Sequence, residues 1–226
     1  MEYKVGVYRH GHKNGDALSG KGMSQAISKG SELSDYVLKD VITSPAQRAK
    51  DTGLGILIGY VRGKDDGIDT SSVKTDSRLK VLLEYLTGDE QASFKLSYKE
   101  TKRSLKSFLK LFPSKLYDAA KNVAETIDET IENIGEGEFV AMVSHSPNMA
   151  ALAYVITKGD IPEGEEEGFL EGVEVSDTHI KIKYSGVEKV VEIEGSLSEM
   201  VEKYKEGEES SSDESSEGGE EASSEA

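Results

Sequence analysis

Three short apolar runs in this chain break off in the same way, and that shared ending constrains the fold more than any other feature. "YKVGVY" (3–8) gives way to Arg9-His10-Gly11, "DVIT" (40–43) leads through Ser44-Pro45 to Arg48, and "EFVAMVS" (138–144) stops at His145-Ser146-Pro147. Each run has the length and β-branched content of a buried strand, and each is followed by apolar residues at helical spacing. Helices are expected over 21–38, over 45–60 (weakened by its glycines), over 115–134 and over 147–158, with a further strand at 73–79. In the clearest helix, Leu116, Ala119, Ala120, Val123, Ile127, Ile131 and Ile134 fall on one stripe. This alternation predicts an α/β fold, three layers α/β/α around a mainly parallel sheet. "FLEGVEVS", "HIKIKYS" and "EKVVEIEG" then alternate residue by residue, which predicts antiparallel strands near the C-terminus with one wet face. "SLSEMVEKYKE" (196–206) is expected to close the fold as a helix.

Charge divides the chain. Of the net −16, the last 21 residues carry −9 from eight Glu and one Asp with no basic residue, leaving about −7 on the rest. The tail 206–226 is otherwise Ser, Gly and Ala, too polar to offset its chain entropy, so a domain over 1–205 and a disordered tail are expected. No basic cluster is dense enough to track a phosphate backbone, which argues against nucleic acid. No apolar run is long enough for a membrane span, and the first residues lack a secretory signal. With no cysteine in the chain, a cytoplasmic protein is expected.

In an open parallel sheet, chemistry sits beyond the carboxyl ends of the strands. Neighbours within a strand point to opposite faces, so Arg9 and His10 can serve one pocket only where the strand yields to a loop. Gly11 allows either positive φ or close backbone approach there. Ser44-Pro45 and Ser146-Pro147 each have the pattern of an N-cap followed by proline in the first helical turn. Two arginines, two histidines and two helix N-termini meeting at one edge describe a site for a dianion such as phosphate.

This constellation resembles the histidine phosphatase superfamily, the phosphoglycerate-mutase-like proteins with an Arg-His-Gly motif. "LSGKGMSQA" (18–26), "TSPAQRAKDT" (43–52, with Ser44, Arg48 and Thr52), "LLEYLTG" (82–88) and "VSHSP" (143–147) resemble the motifs that follow, in the family's order. The resemblance implies that His10 is the nucleophile, that Arg9, Arg48 and His145 hold the phosphoryl oxygens, and that Glu84 is the proton donor, its pKa raised by burial. It also places Asn14 as a further phosphate donor. His12 stands where many relatives have Glu or Gln, and is expected either at the pocket rim or facing solvent. His179 is expected to be structural or exposed. No metal or other cofactor is implied.

Leu18 follows Gly11 by only seven positions, and there is no tryptophan. The family's mutases carry a longer loop there with a Trp-Asn element, so the resemblance favours a phosphatase over a mutase. A catalytically inactive phosphate-binding module is the alternative of another class. The segment 88–114 is expected to form a small cap, with Phe94, Tyr98, Phe108 and Phe112 in its core or on a pocket floor. The implied partner is a small phosphorylated metabolite or a phosphoprotein, acted on by a monomer or homodimer.

Overall fold

Strand β6 (Glu138–Ser144) is apolar on both faces because helices cover it on both sides. Phe139, Ala141 and Val143 pack on one side, Val140 and Met142 on the other. The structure, a computed structural model, describes residues 2–62, 64, 72–93, 113–160, 170–184 and 186–214. In chain order the strands are β1 (Val5–Arg9), β2 (Lys13–Asn14), β3 (Ala17–Leu18), β4 (Val37–Thr43), β5 (Val73–Thr75), β6, β7 (Gly172–Val175), β8 (His179–Tyr184) and β9 (Val187–Glu192). The helices are α1 (Gly20–Glu32), α2 (Gln47–Arg62), α3 (Pro113–Glu132), α4 (Ser146–Ile156) and α5 (Leu197–Glu214).

Seven strands form one sheet in the order β5-β4-β6-β1-β7-β8-β9. Its first four strands are mutually parallel, and β7, β8 and β9 extend it by antiparallel pairs. α1 and α2 cover one face, contributing Ala26, Leu33, Ala49, Ile56 and Leu57 to a core shared with Tyr8 and Phe139. α3, α4 and α5 cover the other, where Leu116, Ala119, Ala120, Val123 and Ile127 are fully buried and Ile131 and Ile134 partly so. The expected three layers and the antiparallel C-terminal strands are both present. Among the described residues no helix is long and apolar enough to cross a membrane.

Several boundaries differ from the expected ones for local reasons. The helix read over 21–38 stops at Glu32, and Val37 and Leu38 belong to β4, which is longer than its apolar part. The strand read over 73–79 ends at Thr75, because the Asp76 carboxylate accepts from Arg78 N–H at 2.8 Å and starts a 3-10 turn, Ser77–Leu79. The last helix does not respect the boundary at 205: backbone expected to be disordered from 206 onward continues α5 to Glu214. Residues 215–226, and residues 94–112 of the expected cap with Phe94, Tyr98, Phe108 and Phe112, lie outside the described residues.

α1 and α2 approach closely because glycines face the partner backbone. A Cβ added at Gly30 would lie 1.9 Å from Ile56 O, and one at Gly59 would lie 1.9 Å from Ile27 O. Elsewhere in a helix, glycine to alanine would stabilise by about 1 kcal/mol. Here Gly30→Ala should lower the unfolding free energy by about 1–3 kcal/mol through overpacking, read from the denaturant midpoint. A raised midpoint would mean that the helices do not meet this tightly.

Candidate active site

The ends of β1, β4 and β6 are level. Arg9 pairs with Ser144, and Thr43 with Val143. The ladder then runs one residue further, with His10 N–H donating to Ser144 O (3.1 Å) and Ser44 N–H to Val143 O (2.9 Å). His10, Ser44 and His145 are therefore the first residues beyond three adjacent strands, and all three are buried. Here the alternation of faces lapses, as the motif required.

Arg48, the second residue of α2, reaches back across these strand ends. Its Nε donates to His10 Nε2 at 3.1 Å and its Nη2 to His145 Nδ1 at 3.2 Å. Guanidinium nitrogens only donate, so both imidazole nitrogens must be unprotonated acceptors. The protons then sit on the opposite nitrogens. His10 Nδ1–H donates to Gly11 O at 2.9 Å, and His145 Nε2–H donates to Ser44 Oγ at 2.7 Å. The rings lie 5.3 Å apart at 64°. Burial lowers the His10 pKa from 6.5 to about 4, with Arg48, Arg9 and Lys13 pushing the same way and the Gly11 carbonyl opposing. Burial and then Arg48 hold His145 well below its ordinary value. Both rings are neutral near pH 7, and the unprotonated His10 Nε2 is held by the Arg48 guanidinium.

The Arg-His-Gly loop is wedged rather than merely turned. A Cβ at Gly11 would stand 2.8 Å from Gly22 O, so glycine serves close approach to the start of α1. Gly11 N–H donates to Thr52 Oγ1 (3.1 Å), which itself donates to Arg48 O (2.7 Å), tying the loop to the turn of α2 that carries Arg48. His12 braces this joint: its N–H donates to Gln25 Oε1 at 3.1 Å, and its Nδ1 is 2.8 Å from Ser19 Oγ. Arg9 lies within electrostatic reach of both histidines, and its backbone is clamped by Glu171 O and Leu170 N–H.

Two expectations about caps need correction. The N-cap of α4 is His145 itself (φ −126°, ψ 148°), with no side-chain cap, and Ser146 is already helical. Ser44 stands three residues before α2, and its hydroxyl accepts from Ala46 N–H at 3.3 Å while serving His145.

Glu84 sits in a 3-10 turn, Leu82–Tyr85, within electrostatic reach of Arg48, but it is exposed. The burial expected of Glu84 is absent. Ser144 Oγ to Leu79 O (3.2 Å) and Asn148 Nδ2 to Lys80 O (2.8 Å) fix the approach to that turn. Asn14 is on the exposed hairpin β2–β3, paired with Ala17, and no hydrogen bond links it to His10, Arg48 or His145. His179 pairs with Glu192 at the far end of the sheet. Asn148, Lys13 and Asp16 escaped the sequence reading. Asn148 follows the second histidine motif directly, while the other two had no signal beyond their closeness to Arg9-His10-Gly11. Among the described residues no three His, Asp or Glu side chains gather as metal ligands.

The neutral histidines make stability depend on pH. The folded His10 pKa is below the unfolded value, so the unfolded chain takes up the proton first as pH falls. This stability is fully present above about 6.5 and is lost as pH falls toward about 4, with His145 acting in the same direction. The denaturant midpoint should fall across that window more steeply in the native protein than in His10→Asn. Equal slopes would show that the His10 imidazole is not buried neutral.

No family model matches this chain, and no curated protein sequence matches it. Solved structures do. A phosphoglycerate mutase from Bacillus anthracis matches with a TM-score of 0.54 at 17% identity, over 89% of this chain and 96% of its own. Bacillus stearothermophilus YhfR matches with a TM-score of 0.51 at 18% identity, over 87% and 98%. A mycobacterial glucosyl-3-phosphoglycerate phosphatase complexed with VO3 matches with a TM-score of 0.50 at 16% identity, over 86% and 99%. The chain therefore has the fold of these phosphoglycerate mutase and phosphatase structures.

Proposed function

We propose that this protein is a metal-independent phosphatase that hydrolyses phosphomonoesters through a phosphohistidine at His10. The observation that carries this reading is the Arg48 fork between His10 Nε2 and His145 Nδ1. It marks a neutral, unprotonated nucleophile at the place where two guanidinium groups await negative charge.

In the first step His10 Nε2 forms a bond to phosphorus as the ester P–O bond breaks, and Glu84 gives its proton to the departing alkoxide. Arg9 and Arg48 hold the equatorial oxygens, where transition-state charge collects, and His145 joins them once the phosphoryl group takes up Arg48 and the ring carries its proton on Nδ1, with the Ser44 hydroxyl donating to Nε2. In the second step water attacks phosphorus, its proton passes to Glu84, and the P–N bond breaks to release orthophosphate and restore His10. The exposure of Glu84 suits proton exchange with bulk water and favours hydrolysis over the mutase reading, which requires a sealed intermediate. The substrate is a small phosphorylated metabolite or a phosphoprotein in the cytoplasm. The intact set of His10, Arg48 and His145 speaks against an inactive binding module.

Phosphate release from a panel of phosphomonoesters should persist in chelator, be inhibited by vanadate and vanish in His10→Ala. Formation of the 2-isomer from 3-phosphoglycerate without phosphate release would make the protein a mutase. Glu84→Gln should slow alkyl phosphates by about 10²–10⁴-fold, the usual range for a general acid, while nitrophenyl phosphate, whose leaving group needs no proton, changes little. Equal losses on both would remove Glu84 from the proton-donor role.

A further inference from the structure

We infer that Ser44 is a positioning residue that couples anion binding to the tautomer of His145. The inference rests on the phosphatase reading of the site and adds to it what changes there when a phosphoryl group arrives.

His145 stands between two donors. Arg48 Nη2 lies 3.2 Å from its Nδ1, and Ser44 Oγ lies 2.7 Å from its Nε2. The guanidinium nitrogen brings a hydrogen to the first gap, the hydroxyl brings one to the second, and a neutral imidazole adds a third. Three hydrogens therefore compete for two gaps. With Arg48 donating to Nδ1, the ring hydrogen on Nε2 fills the second gap, and the Ser44 hydroxyl has to turn its own hydrogen elsewhere. Ser44 is fully buried. Its oxygen already accepts from Ala46 N–H at 3.3 Å, and among the described residues its hydroxyl is bonded to no acceptor other than His145 Nε2. A buried donor left without an acceptor is costly. The opposite tautomer satisfies Ser44 but sets Nδ1–H against a guanidinium N–H. Without an anion, one of the three groups always loses.

A phosphoryl oxygen resolves the conflict because it only accepts. Placed between Arg48 and His145, the phosphoryl group takes a hydrogen bond from each. The ring hydrogen then sits on Nδ1, Nε2 is left as an acceptor, and the Ser44 hydroxyl donates to it. The ring keeps one hydrogen throughout, in keeping with the burial and the neighbouring Arg48 charge that hold it neutral. Three donors then meet three acceptors. Alanine at position 44 removes this gain, since the ring would exchange an unpaired N–H for an unpaired lone pair.

The test reads the ring directly. Ring-nitrogen NMR of the native protein should place the His145 hydrogen on Nε2 in the free state and on Nδ1 with inorganic phosphate bound. By calorimetry, Ser44→Ala should weaken phosphate binding about ten-fold, as for the loss of one buried hydrogen bond. Ser44→Thr, which keeps the hydroxyl, should restore most of that loss. In the His145→Ala background Ser44→Ala should cost nothing further, because Ser44 acts through the ring. A complex with hydrogen on both ring nitrogens, or with the Nε2 hydrogen unmoved, would leave Ser44 an acceptor and overturn the inference. A Ser44→Ala loss that persists without His145 would overturn it too, by making the role merely structural. Each of these results leaves the phosphatase reading intact. A change of tautomer on phosphate binding, without turnover of any ester, would uphold the coupling and overturn the phosphatase reading. A native protein that binds no phosphate would overturn both.

Discussion

The fork of Arg48 between two imidazoles is the interaction on which the site depends. A guanidinium cannot accept, so it fixes the tautomer of both rings at once and leaves both neutral. That neutrality would be costly to maintain in water, where half of such rings are protonated near pH 6.5. Burial of His10 and His145 removes the alternative, because a third and fourth positive charge beside Arg9 and Arg48 would go unsolvated. On the proposed reading, the same arrangement that discourages protons favours a phosphoryl group, which brings its own negative charge and draws Arg48 off His10 Nε2, freeing the lone pair that attacks.

Such a fork works only if α2 keeps its height relative to the strand ends, and the packing of α1 on α2 sets that height. The glycines that weaken α2 as an isolated helix let its backbone lie against α1, and Gly30 and Gly59 each occupy space that no Cβ could share. Intrinsic helix propensity and tertiary packing oppose each other here, and packing prevails. Thr52 then closes a short circuit, accepting from Gly11 and donating to the carbonyl of Arg48. A shift of α2 would therefore move the nucleophile loop and the arginine together, preserving their mutual distance better than their distance from His145.

Most of this was legible where physics is local. The buried strands, the stripe of α3 and the three polar strand ends follow from spacing and composition, and the motif order followed from the residues at those ends. What was not legible arose from neighbours distant in sequence. The sequence marked Ser44 and Ser146 as twin caps, but His145 occupies the cap of α4 and Ser44 is drawn away to hydrogen-bond that histidine. Two-residue strands carry no periodicity, so the β2–β3 hairpin could not be read, and with it Lys13 and Asp16. His12 offered two readings, and its bonds to Ser19 and Gln25 make it a brace. Asn14 followed from a family pattern alone, and it lies exposed on the β2–β3 hairpin. The acidic run after 205 was read by charge alone, yet glutamate is a good helix former, and α5 carries its hydrogen bonding on to Glu214.

The site separates into a floor and a rim that obey different rules. On the floor, His10, His145 and Ser44 are buried, with His145 bonded to Ser44 and both rings to Arg48, so any substitution there leaves a polar group without its partner. On the rim, Lys13, Asp16 and Glu84 are exposed, and change there is cheap for the fold. On the proposed reading the floor binds the phosphoryl group, which every phosphomonoester presents with the same three oxygens, so discrimination between esters falls to whatever the leaving group meets at the rim.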